Sequence, residues 1–160
     1  MTRAWPTALA LLAVVCLCCA PLFVGLGGRD LGSDEAIYAY AVDRILDTGE
    51  WLTPRLIPYD GPNLEKPPLK LWMLAGAIHA GVLARDEVGL RLLDALFSSV
   101  AFVYVFWLGR RLAGPVCGLV AVLVLFTQER LLFEHGLRSM NMEAALFLAY
   151  CGGAYHFARW

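Results

Sequence analysis

Residues 7–27, TALALLAVVCLCCAPLFVGLG, run without a charge for the roughly 20 residues an α-helix needs to cross the hydrocarbon core of a bilayer. No other feature restricts the fold as strongly. In lipid such a segment must satisfy every backbone N–H and C=O internally, which leaves a helix as its structure. The run has company: further apolar stretches cover 69–84, 92–109, 116–131 and 143–158. Over all 160 residues 59% are hydrophobic and 17% charged, with a mean hydropathy of +0.62. A soluble domain of this length needs more charge to keep its surface wet, so the expected fold is all-α, a multi-pass membrane helix bundle. A formal net charge of −1 provides no basic surface for nucleic-acid phosphates, and no nucleic-acid partner is expected. Cys16, Cys18, Cys19, Cys117 and Cys151 all lie in apolar runs. Without metal-ligand spacing they read as small buried hydrophobes, not as a disulfide framework or a zinc site.

One long polar stretch interrupts the apolar pattern, residues 30–69. Ser33 can cap a helix, which puts Asp34 and Glu35 in its first turn, where carboxylates suit the exposed amides. Ile37, Ala41 and Ile45, flanked by Tyr38, Val42 and Leu46, form an apolar stripe at helical spacing, and Gly49 ends it. The product is an amphipathic helix suited to a membrane surface. Pro54, Pro58, Gly61 and Pro62 make residues 50–64 irregular and extended. Pro67 and Pro68 then introduce 69–84, which is short for a span and reads as an interfacial helix, with Lys70 as a snorkelling flank. Arg3 before the first run places the amino terminus in the cytoplasm by the positive-inside rule. With 69–84 at the interface the chain crosses four times, through 7–27, 92–109, 116–131 and 143–158. Arg3, Arg110, Arg111 and Arg159 then share the cytoplasmic side, while the 28–84 loop and the 129–143 loop share the outer one.

Several residues on that outer side carry chemistry. Asp34 and Glu35 are neighbours on a helix and point in different directions, so they are not a shared-proton pair. One can act while the other caps the helix or pairs with an arginine. Glu65-Lys66, held by the two prolines at the membrane boundary, offers a carboxylate for a divalent metal and an ammonium for a phosphate. The 129–143 loop adds Glu134, His135, Arg138 and Glu143. Among these the Arg138 guanidinium best matches phosphate geometry, and His135 can be a ligand, a base or an interfacial polar residue. There is no Gly-rich phosphate cradle, Ser-His-Asp spacing or HExxH.

In order along the chain stand Asp34-Glu35 after the first span, Gly49-Glu50-Trp51-Leu52-Thr53-Pro54, Glu65-Lys66-Pro67-Pro68-Leu69, Gly109-Arg110-Arg111-Leu112 and Arg138 before the last span. This series resembles the start of the GT-C membrane glycosyltransferases of the family 39 type, which include lipid A aminoarabinose transferases and, more distantly, protein O-mannosyltransferases. The resemblance implies inverting transfer of a sugar from a polyprenyl-phosphate carrier to a lipid, glycan or protein acceptor, on the outer side of the cell (inner) membrane. It makes Asp34 the general base with Glu35 beside it, Glu65 the ligand of a divalent metal, and Lys66 and Arg138 the donor-phosphate contacts. His135 and Glu143 are further site residues. Where the family commonly carries an Asp at the start of the helix after the second outer loop, this chain has Asn141 or Glu143, with Glu143 directly before the apolar run. Family members continue with many more helices, so residues 1–160 correspond to an amino-terminal third, as a fragment of a longer enzyme or a stand-alone remnant. A non-catalytic membrane scaffold or lipid-binding subunit is the alternative.

Overall fold

The computed structural model describes residues 13–55, 61–62, 66–134 and 136–160. Among these residues the regular elements are all helical, with one isolated antiparallel bridge between Arg55 and Pro62. The helices are α1 (Ala13–Phe23), α2 (Ser33–Thr48), α3 (Leu69–His79), α4 (Glu87–Ala113), α5 (Pro115–Leu125) and α6 (Glu143–Arg159). The last turn of α1, Ala20–Phe23, is 3-10.

α4 is the axis on which the others pack. The Asp86 carboxylate caps it by accepting from the Gly89 N–H at 2.8 Å. At 27 residues it rises about 40 Å, and among the described residues it alone is long and apolar enough to cross a membrane. The expected span, 92–109, is its middle. The helix continues through Arg110 and Arg111 until Gly114, whose φ of +90° turns the chain, and Pro115 opens α5. α5 folds back so closely that the backbones touch. A Cβ on Gly118 would meet the Phe106 carbonyl oxygen at 2.5 Å, and one on Gly109 would meet the Gly118 Cα at 2.8 Å.

The run expected over 116–131 is helical only to Leu125. Phe126, Thr127 and Gln128 donate to the carbonyls three residues back, and the Thr127 hydroxyl also donates to Val124 O at 2.7 Å. Those tighter bonds wind the helix down, and a π turn follows at Arg130–Glu134. α6 starts at Glu143, as expected, and runs alongside α4 in the same direction. Phe147 meets Phe102 edge-on at 6.5 Å, and further on Tyr155 meets Trp107 at 5.6 Å. Val15, Cys19 and Leu22 of α1 join Phe102, Phe106, Val122 and Ala144 in one apolar cluster.

α2 starts one residue earlier than a Ser33 cap would place it. Gly32 is the capping position, and its N–H is satisfied by Glu35 Oε2 at 3.0 Å. Gly49 closes the helix as expected, at φ +72° with its N–H on Ile45 O. α3 stops at His79, short of the expected 84. Gly81 (φ +71°) and the Val82 N–H to Ala77 O bond end it in a Schellman turn. α3 and α5 have 11 residues each, a rise of about 16 Å, half of what a bilayer core demands. Ala41, Val42 and Ile45 of α2 pack on Leu71, Leu74 and Ala75 of α3, with Leu90 and Met140, as a second cluster. Exposed ion pairs from Arg85 to Asp43 and Asp47 tie the turn before α4 to α2.

Candidate functional site

The two apolar clusters meet around the first turns of α4, and two buried ion pairs sit at that junction. Arg91, Asp94, Ala95, Ser98 and Phe102 lie on the buried face of α4. Glu35 lies in helical phase with Ala39 and Val42 and is buried with them. Arg91 and Glu35 form a two-pronged pair, Nε to Oε1 and Nη2 to Oε2, both at 2.8 Å, with 5% and 4% of the side chains exposed. The remaining Arg91 donors go to backbone oxygens of Leu26 (2.5 Å), Arg29 (2.8 Å) and Asp30 (3.1 Å). Glu35 in turn accepts from the backbone N–H groups of Gly32 and Met140, each at 3.0 Å. All five guanidinium donors and all four carboxylate acceptor sites are therefore used. Burial alone would raise the Glu35 carboxyl. The hydrogen bonds from Arg91, Gly32 and Met140, together with the Arg91 charge, outweigh it and bring the pKa from 4.5 down to about 2.

The second pair joins α3 to α4. Lys70 Nζ lies 2.6 Å from Asp94 Oδ1, with 5% and 0% exposed, and also donates to the Asn141 carbonyl. Asp94 Oδ2 has no hydrogen-bond partner among the described residues. Burial draws the Lys70 ammonium below its ordinary value, with the Asp94 charge opposing. The 136–142 segment is fastened from several sides. Ser98 Oγ donates to Leu137 O at 2.6 Å, and Ser139 Oγ bonds both the N–H and the carbonyl of Gly136. The Asn141 amide donates to Ser139 Oγ at 3.0 Å. The polar stretch after the first apolar run, α3 and the loop before α6 thus form one assembly, joined through Glu35, Lys70 and the start of α4.

A cavity of about 220 Å³ opens beside the Arg91–Glu35 pair, with Arg29 and Arg138 on its polar wall and Leu26, Leu132 and Phe133 on its apolar one. Arg138 donates to the carbonyls of Leu22 (3.0 Å) and Val24 and lies 5.1 Å over the Phe133 ring. Among the described residues no carboxylate pairs with it. Its pKa is lowered by burial and by the neighbouring Arg91 charge. A half-buried guanidinium that faces a cavity, with no counter-ion among the described residues, suits an anion.

The other expected site residues are placed as follows. Asp34 is half-buried in the first turn of α2, next to Glu35. Lys66 is exposed ahead of α3, and Glu143 is exposed as the first residue of α6, while Asn141 is buried. Glu65 and His135 lie outside the described residues. Among the described residues no three His, Cys, Asp or Glu side chains converge as a cation cage would require. Arg91 and Asp94 did not emerge as site residues from the sequence, and Lys70 emerged only as a flank. Their signal was present. Arg91 and Asp94 stand three apart on one face at the start of an apolar helix, where an ionisable residue needs a partner.

Comparison with curated proteins and with solved structures gave no match. Residues 65–160 match the family model described as dolichyl-phosphate-mannose-protein mannosyltransferase. That stretch holds Lys70, Arg91, Asp94 and Arg138 but begins after Asp34 and Glu35. Since it covers well over half of the chain, the chain belongs to this family of membrane-integral glycosyltransferases of the GT-C type.

Proposed function

We propose that the chain forms the outer-face catalytic end of an enzyme that transfers a sugar, with inversion, from a polyprenyl-phosphate carrier to an acceptor hydroxyl or phosphate. Asp34 is the general base. The observation that carries this reading is the unequal treatment of two adjacent carboxylates. Glu35 spends every acceptor site on Arg91, Gly32 and Met140, and a carboxyl at about 2 binds protons too weakly to serve as a base near neutral pH. Its bonds fix the first turn of α2 and thereby the direction of Asp34, about 100° further round the helix.

The departing lipid phosphate is a stable anion that needs positive charge more than a proton. Arg138, with Lys66, supplies it. The cavity next to Arg138 has the mixed walls that a phosphate joined to a hydrocarbon chain requires. His135 and Glu143 complete the rim, and Glu65 is the residue that would hold a divalent cation. The site faces outward from the cell membrane, with four crossings and the amino terminus in the cytoplasm; the acceptor is a lipid, glycan or protein.

Sugar release from a polyprenyl-phosphate donor, measured with the full reading frame in membranes, tests the assignment. Asp34→Asn is expected to lower turnover by about 100-fold or more, the usual worth of a general base, with donor KM little changed. Arg138→Ala is expected to raise donor KM. An Asp34→Asn enzyme with wild-type turnover removes Asp34 from the role.

A further inference from the structure

The end of the bundle away from the Arg91–Glu35 pair carries a second construction that sugar transfer does not use. α4 and α6 run side by side in the same direction, so Arg110, Arg111 and Arg159 come to one end, all exposed. No Asp or Glu occurs between residues 95 and 128 or after Glu143, which leaves these three charges without an acidic partner on α4, α5 or α6. Directly beneath them is an aromatic group. Tyr155 lies 5.6 Å from both Tyr104 and Trp107, and His156 lies 5.8 Å from Tyr104. The Arg159 guanidinium sits 5.8 Å over the Tyr155 ring. Gly152 lies against Tyr104, where a Cβ would come into ordinary contact with the ring at 3.5 Å. Next to this group a cavity of about 230 Å³ runs between α4 and α6, lined by Tyr104, Val105, Leu108, Tyr150, Cys151 and Ala154.

The spacing along α4 fits a bilayer. From Arg91 to Arg110 the helix rises about 28 Å, close to the ~30 Å hydrocarbon thickness. Tyr and Trp below a row of arginines is the order in which side chains settle at a headgroup boundary. We propose that this end binds one anionic glycerophospholipid, with its phosphate against Arg110, Arg111 and Arg159 and an acyl chain in the α4–α6 groove. A free phosphate would leave the groove empty, and a zwitterionic lipid would bring no net negative charge to the three cations. The anionic lipid fills the groove and brings net negative charge to the arginines. Its contacts are remote from Asp34 and Arg138, so this lipid is separate from the sugar donor.

Native mass spectrometry of the full chain, offered phosphatidylglycerol and phosphatidylcholine in equal amounts, reads the preference directly. Phosphatidylglycerol is expected to dominate. Each Arg→Gln change should weaken it about fivefold, the usual worth of one basic residue at a charged leaflet. The triple Arg→Gln variant should bind both lipids alike, whereas the triple Arg→Lys variant keeps the preference and shows that the fold survives. Ala154→Phe fills the groove and should lower occupancy by both lipids. Equal binding by the wild type overturns the proposal, as does a preference that outlives the triple Arg→Gln change. So does crosslinking of Cys151 in native membranes to a second copy or to another protein segment, because protein would then cover the groove.

Discussion

Replacing Glu35 by Gln tests the junction most sharply, because it changes charge while keeping shape. The Arg91 guanidinium would remain 5% exposed with no carboxylate to neutralise it. A Gln oxygen can accept at most two of the four bonds that Glu35 now accepts, and its NH₂ group would face donors. Removing one partner of a buried pair costs about 3–5 kcal/mol. The titration gives a second route to the magnitude. A carboxyl lowered from 4.5 to about 2 on folding contributes about 3 kcal/mol, and the two figures agree. Because the folded pKa is the lower one, that contribution is fully present above about pH 4.5 and is lost as pH falls towards 2. The stability gap between wild type and Glu35→Gln should therefore be flat from neutrality to about pH 5 and narrow below it. Unfolding of the detergent-solubilised protein measures the gap. Hydrogen exchange should show faster opening at residues 26–36 and 138–142, the segments that Arg91 and Glu35 hold together. A cost below about 1 kcal/mol, or a gap that widens on acidification, would refute the reasoning.

Two further outcomes concern the helices themselves. Lys70→Met should destabilise the protein by about 3–5 kcal/mol by leaving Asp94 buried alone, and adding Asp94→Leu should recover most of the loss, since a buried pair replaced by apolar side chains is often neutral; strict additivity of the two changes in unfolding experiments would contradict the pairing. Gly118→Val should cost at least about 1–3 kcal/mol, because the new Cβ would start 2.5 Å from a backbone oxygen that cannot swing away; the same change at Gly153, where nothing lies within 4 Å, should cost less, and equal losses in thermal unfolding would dismiss the close α4–α5 contact.

The sequence by itself determined the helical class, the positions of the apolar runs and the points where the chain must turn. Gly49 and Gly114-Pro115 act through their own backbone preferences, and those operate whatever surrounds them. Hydrophobic periodicity likewise marked α2, and the run of motifs from Asp34 to Arg138 pointed to the family that residues 65–160 then matched. It could not separate Asp34 from Glu35 on chemistry alone, because the two are the same kind of group one residue apart. Packing gives Glu35 partners that the sequence could not show. The partners of Glu35, namely Arg91 and the Met140 N–H, are 56 and 105 residues away, and no local pattern encodes a contact at that separation. Helix ends moved for a related reason. α3 ends in a Schellman turn and α5 in a run of three-residue bonds, where a few local hydrogen bonds decide against an apolar run that would otherwise continue. Lys70 shows the limit most plainly. As a sequence it is a cation near a helix start with a stem long enough to reach water. In the folded chain Asp94, from the start of the expected span 92–109, lies 2.6 Å away, and the charge stays inside.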